Sequence, residues 1–299
     1  MVNFKIAGHT MGTPEYTVQE ALALFHRIGL DGAEIVVQDD YRCGIPTDCG
    51  EETLAALKET AQKLGIQIIA LTPYNSRFNS LDEKVRLAEL EGIRKVIGYA
   101  KYLGARYIRI YAGNFAAGDQ DPEGKMLEKL VESMQVLGEE AKREGVVLVM
   151  ENHFNTMTVS AAQSIEAARR IGHPNVGILY DQANLAFTLQ EDYQTAIPLQ
   201  MEKVAYVHVK DLQFKEGNLP FVSDQVSHPK EEERNVVTRI VGQGDLDWMG
   251  ILQMMHDYGY GGWLSLEYER RWHPDDIPDA SIGMKQSAKY LKKCFQTLT

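Results

Sequence analysis

Residues 146–153 read VVLVMENH, five apolar residues that give way at once to Glu151, Asn152 and His153. A run this apolar is what a strand shows when both of its faces are covered, as in a parallel sheet. Before it lies KMLEKLVESMQVLGEEAKREG (125–145), amphipathic at helical spacing; after it comes SAAQSIEAARRIG (160–172), again helical and closed by glycine. The same unit recurs along the chain. Strand-like runs are FKIAGHT (4–10), DGAEIVV (31–37), IQIIALTPY (66–74), RYIRIYAG (106–113), VGILYDQAN (176–184), VAYVHVKD (204–211) and GWLSLEYE (262–269). Helical patterns follow at 18–29, 51–65, 81–103, 193–200, 247–259 and 281–298. Eight such repeats predict an α/β fold, a (β/α)₈ TIM barrel forming a single domain over residues 1–299. A doubly wound open sheet would carry a glycine-rich phosphate loop after its first strand, and GHTMGTPEY (8–16) does not fit G-x-G-x-x-G.

The repeat is stretched in one place. Glu151 and Asp181 are 30 positions apart and Asp181 and His208 are 27, but His208 and Glu267 are 59. The extra length predicts an extended loop at about 212–244, after the seventh strand, standing over the barrel mouth as a lid, a specificity loop or an oligomer contact.

With 299 residues, 44% of them hydrophobic, the chain can bury a sizeable core. A net charge of −11 with dispersed basic residues argues against nucleic acid as a partner, since phosphates demand a basic face. No run approaches the ~20 apolar residues of a membrane span, and the first residues, MVNFKIAGHTMGTPEY, do not read as a secretory leader. Cys43, Cys49 and Cys294 are too few and scattered for a disulfide framework, which leads us to expect a cytoplasmic protein.

Residues two apart on a strand share a face. Val147, Val149 and Glu151 therefore align, as do Gly177, Leu179 and Asp181, then Val204, Tyr206 and His208, then Trp263, Ser265 and Glu267. If the apolar members fill the barrel, the last of each series points inward above them. Each alone has an ordinary explanation: a helix N-cap, an ion pair, a satisfied core histidine. Together, three carboxylates and one imidazole on successive strand ends would repel one another unless a cation sat between them. The set predicts one divalent metal ion held by Glu151, Asp181, His208 and Glu267; an oxygen-rich site with one imidazole suits Mn²⁺ best and also admits Mg²⁺, Co²⁺, Fe²⁺ or Zn²⁺.

ENH (151–153), YD-x-x-N (180–184), HVKD (208–211), GQGDLDW (242–248), LEYE (266–269) and D-G-A-E (31–34) resemble the sugar isomerase/epimerase superfamily of xylose isomerase-like TIM barrels, which also holds the family 2 AP endonucleases. The resemblance covers essentially the whole chain. It implies a divalent-metal-dependent isomerase or epimerase of a sugar or sugar phosphate, working by proton transfer through a metal-stabilised enediolate. Glu151 and Glu267 would be both ligands and the acid/base pair. Candidate substrate contacts are His9, His153, Asn184, Lys210 and Arg239; Tyr74 and Phe115 are candidates for an apolar wall, and Arg109 is expected to pair with Glu34. Lys210 could instead be tied up by Asp211 or Glu151.

Two departures shape the alternatives. The endonuclease pattern needs further histidines, and IRIYAG (108–113), Asn184 and NVVTRIV (235–241) lack them. The ketose 3-epimerase pattern has a histidine where Asn184 stands and an arginine soon after His208, where LQFKEGN (212–218) has none. A keto-inositol, another polyol or a sugar acid is therefore open as substrate. The rival readings are a metal-dependent dehydratase of the inosose or 3-dehydroshikimate type and a non-catalytic sugar-binding barrel. The expected partners are a small polyhydroxylated substrate and further copies of the chain in a dimer or tetramer, with no nucleic acid and no membrane.

Overall fold

In the computed structural model, which describes residues 3–115, 118–216, 221 and 234–298, the repeat closes on itself. The barrel strands are β1 (Lys5–His9), β2 (Gly32–Val37), β3 (Gln67–Pro73), β4 (Tyr107–Ile110), β5 (Val147–Glu151), β6 (Val176–Asp181), β7 (Val204–Val209) and β8 (Trp263–Leu266). Each pairs in parallel with its sequence neighbours, and β8 pairs with β1, so the predicted parallel barrel is the observed fold.

Helices α1 (Val18–Arg27), α2 (Glu51–Leu64), α3 (Glu83–Leu103), α4 (Lys125–Arg143) and α5 (Ala161–Ile171) connect successive strands. Local chemistry sets their ends. Thr17 and Glu20 form a capping box on α1, and Ser160 and Gln163 form one on α5. Gly65 and Gly104 end α2 and α3 in the left-handed region, at φ of 66° and 78°, where a side chain would be strained. After β6 the chain makes two helices, α6 (Gln182–Leu189) and α7 (Tyr193–Gln200), where the sequence pattern predicted only the second. The first five residues of α6 are all buried, so it has no polar stripe to mark it as amphipathic. Helices α8 (Trp248–Asp257) and α9 (Ala280–Phe295) complete the ring.

Two apolar layers result. One lies between strands and helices; the other fills the barrel with Ala7, Ile69, Ala70, Val147, Val149, Leu179, Tyr206 and Trp263. The inner layer sets a floor, and everything after it on the same strand face must stand above it. Around the two ends of the stretch predicted as an extended loop, Asp211–Phe214 and Val236–Arg239 pair as an antiparallel ribbon beside the mouth. Residues 217–220 and 222–233 of that loop lie outside the described residues. Among the described residues no helix is long and apolar enough to cross a membrane.

Candidate metal centre

Glu151, Asp181, His208 and Glu267 end or follow β5, β6, β7 and β8, and all four are buried. Their nearest ligand atoms all lie within 4.8 Å of one another. His208 Nδ1 is 3.3 Å from Glu151 Oε1, 3.3 Å from Glu267 Oε2 and 3.9 Å from Asp181 Oδ2. Atoms around an ion bound at roughly 2.1 Å stand about 3–4 Å apart, so the cluster has the size of one coordination sphere. A second observation points the same way: Glu151 Oε2 is buried with no hydrogen-bond partner. Asp181 Oδ2 has Lys210 Nζ at 3.1 Å, which balances its charge but lies off the line of a good hydrogen bond. Buried carboxylate oxygens left in this state fit a cation.

The electrostatics show how strongly these side chains act on one another. Burial pushes the Asp181 carboxyl up to about 8; Lys210 opposes this, while Glu267 and Glu151 add to it. Burial opposes charging of His208, yet Glu34 and Glu267 hold its imidazole well above the usual range. Its Nε2 sits 3.1 Å from both oxygens of Glu34, so that side carries a proton and Nδ1 faces the three carboxylates. A divalent ion would take the place of a proton on Nδ1, with Glu34 fixing the tautomer from behind. Burial and Glu267 raise the Glu151 carboxyl, but His208, His153 and Arg109 outweigh them and keep it below the ordinary range. Glu267 is held well below it by Lys210 and His208 despite burial.

Of the four, Glu267 lines a cavity of about 950 Å³, mouth included, together with Lys210, Glu269, Arg109 and His153 beside an aromatic wall. Tyr74, Tyr111, Phe154, Phe187, Phe221 and Trp272 make that wall. Lys210 Nζ meets Glu267 at 2.7 Å and Glu269 at 3.2 Å as well as Asp181. Burial would neutralise it, but these carboxylates keep it an ammonium. Its partners are thus not the expected Asp211, which instead accepts backbone N–H bonds from Leu212, Gly242, Gly244 and Leu246. His153 lines the cavity with Nδ1 2.7 Å from the Phe154 carbonyl, which makes Nδ1 the donor and leaves Nε2 as a lone pair. Burial, aided by Lys210, pushes its imidazole down to about 4.

Other expected contacts stand elsewhere. Asn184 is one layer back, its amide donating to Glu151 Oε1 at 3.3 Å and to the Asn152 carbonyl at 2.8 Å. His9 is fully buried, accepts the Met11 N–H through Nδ1 and turns Nε2 to Glu34 at 3.5 Å. Neither lines the cavity. Arg239 does not reach it either: its guanidinium lies along the ribbon on Gln213 Oε1, at 2.9 and 3.2 Å, because alternate ribbon residues face away from the barrel. Phe115 is also absent from the lining, whereas Tyr74 is part of it.

The expected Arg109–Glu34 pair does not form. Arg109 sits beside Glu151, Nε to Oε2 3.5 Å, because β4 neighbours β5; Glu34 is taken by His208, Thr72 and Tyr206. Sequence reasoning also missed Glu269, Arg234, Asn235 and Thr238 in the lining. A signal existed for Glu269, which shares the parity of Glu267, and for Arg109, which shares that of Tyr107 and Tyr111. None existed for Arg234 or Asn235, whose place depends on how the ribbon folds back.

Residues 22–294 match the family described as xylose isomerase-like TIM barrel. Inosose dehydratase from Clostridium perfringens is 26% identical over 162 residues, 54% of this chain and 52% of the relative, so the chain spans about half the length of that protein in the match. Among solved structures, L-ribulose 3-epimerase superposes with a TM-score of 0.76 at 18% identity, over 98% of this chain and 95% of the other. A xylose isomerase-like TIM barrel protein from Mycobacterium smegmatis in complex with magnesium superposes with a TM-score of 0.74 at 13% identity, over 98% and 97%.

Proposed function

The chain belongs to the xylose isomerase-like TIM barrel family, and from that premise we propose that it is a divalent-metal-dependent isomerase or epimerase of a small polyhydroxylated substrate, a sugar or sugar phosphate. The observation that carries this reading is the convergence of Glu151, Asp181, His208 and Glu267 on one another, with Glu267 also lining the cavity. Those four residues would hold the ion, Mn²⁺ by preference. When bound, it supplies Lewis-acid polarisation of substrate oxygens, which makes the neighbouring C–H more acidic.

The protein's own groups supply the rest. Glu151 and Glu267 approach His208 Nδ1 from different strands and are both kept ionised, Glu151 by His208 and Arg109, Glu267 by Lys210 and His208. One takes the proton beside the carbonyl on one face of the substrate, and the other returns a proton on the opposite face. Lys210 is saturated by carboxylates, so it positions Glu267 and offsets negative charge as it develops on the substrate. The aromatic wall keeps water from the exposed carbon.

A dehydratase is the second reading, supported by the match to inosose dehydratase. It would use the same proton abstraction and then expel a β-hydroxyl. Incubation of the Mn²⁺-loaded protein with ketoses, keto-inositols and sugar acids in D₂O separates the two. An epimerase returns labelled substrate of unchanged formula; a dehydratase yields an ultraviolet-absorbing enone. Glu151→Gln should lower turnover by about 10³-fold; near-normal turnover in that variant would remove the proposed base.

A further inference from the structure

Phe154, Phe187 and Phe221 reach the cavity from three different connections, those after β5, β6 and β7. Their rings meet one another edge to face, with centroids 5.7 Å apart for Phe154 and Phe187, 5.1 Å for Phe154 and Phe221, and 5.0 Å for Phe187 and Phe221. Phe154 is buried, but Phe187 and Phe221 stay partly exposed although each packs against two rings. Ala183, one turn before Phe187 on α6, continues the apolar surface along the lining. An open apolar patch rimmed by polar groups marks a place where an apolar ligand sits.

The patch stands away from the metal cluster. Helix α6 starts directly after Asp181, and a rise of about 1.5 Å per residue puts Phe187 about 9 Å along it. The Asn235 amide donates to the Phe187 carbonyl at 2.9 Å and so ties this turn of α6 to the ribbon. A substrate with its carbonyl end at the cluster therefore points its other end at the rings. The described lining has no cation to spare for a charged end. Among the described residues its lysines and arginines are Arg109, Lys210 and Arg234. Arg109 lies beside Glu151 and over the Tyr111 ring, Lys210 is surrounded by Asp181, Glu267 and Glu269, and Arg234 is engaged by Asp276. A phosphate set against the three rings would be a buried charge without a partner.

We propose that Phe154, Phe187 and Phe221 form an apolar subsite for the end of the substrate remote from the metal cluster. The substrate then ends there in a methyl or methylene group, as in a deoxy sugar or a methyl ether, and carries no phosphate. This rests on the reading of the cavity as a substrate site and narrows it to a class of compound.

Calorimetric titration of the Mn²⁺-loaded protein tests it with matched probes: 6-deoxyfructose against fructose, 6-deoxytagatose against tagatose, an O-methyl inosose against inosose, and fructose 6-phosphate against fructose. At least one deoxy or methylated probe should bind about fourfold or more tighter than its parent, as one buried methylene supplies. Phe187→Ser should erase that preference, and Phe187→Leu, which restores apolar bulk, should keep most of it. Mn²⁺ titration of each variant separates a lost subsite from a lost ion. Should Phe187→Ser fail to fold, Phe221→Ser carries the same expectation. Equal or weaker binding of the apolar member in every pair, a preference that survives the serine substitutions, or tighter binding of the phosphate overturns the proposal. A preference for the apolar member in a protein that binds no Mn²⁺ would leave the subsite standing and remove the metal-dependent function instead.

Discussion

At Asp181 the two carboxylate oxygens face different groups. Oδ1 accepts the Asn184 N–H and caps α6, while Oδ2 points into the cluster with His208 and Lys210. N-cap and ligand look like competing explanations of an aspartate at a strand end, but a carboxylate has two oxygens and can do both. His208 is comparable: Nδ1 faces the cluster and Nε2 faces Glu34. Glu34 in turn accepts from Thr72 and, at 3.1 Å, from Tyr206, so the tautomer is fixed by a buried network. Glu34→Gln keeps the shape and removes the charge behind His208. Mn²⁺ affinity, followed by titration, should fall by about 10–100-fold with little change in the far-ultraviolet spectrum; unchanged affinity would place Glu34 outside the metal's support.

Among the elements, the ribbon after β7 is tied down at two points. Asp211 gathers four backbone N–H groups and so shapes the turn through Gly242, Gly244 and Leu246; a side chain at Gly244 would collide with it. Asp276 holds the other end, pairing with Arg234 and accepting the Thr238 N–H at 2.9 Å. Burial opposes ionisation of Asp276, but Arg234 and Thr238 outweigh it and set the carboxyl below its usual range. A group with a lowered folded-state pKa stabilises above its unfolded value, ~3.9 for aspartate, and that stability drains away as pH falls through the lowered value. Urea midpoints of the native protein and Asp276→Asn should therefore differ by a constant amount near neutrality and converge below about pH 4. A gap that persists into acid would show that shape, not charge, holds the ribbon.

For the molecule as a whole, the barrel stacks an apolar floor beneath a highly charged layer. Glu34, Glu151, Asp181 and Glu267 are all buried, together with Lys210, Arg109, His208, His9 and His153. Concentrating like charge in a dry lumen costs stability, and a bound cation would relieve it. Mn²⁺ at about 100 times its dissociation constant should stabilise the fold by about 2.7 kcal/mol, and a chelator should reverse the gain. A melting temperature indifferent to both would deny the cluster its ion. The fold itself was legible because eight apolar runs of strand length alternated with amphipathic helices, while the glycine-rich loop of the rival open sheet was missing. Parity placed Glu151, Asp181, His208 and Glu267 together because strands in a barrel converge on a common interior.

The sequence by itself determined the barrel, the inward face of each strand and the four-residue cluster, since all of these follow from local period and strand order. Only the tertiary structure decided who meets whom across the lumen. Arg109 went to Glu151 rather than Glu34 because of barrel adjacency, and Arg239 went to Gln213 because of the ribbon's pairing. Asn184 fell behind Glu151 because α6 starts directly at Asp181. Period along a chain fixes direction, whereas contact between side chains far apart in sequence depends on distances that exist only once the barrel has closed.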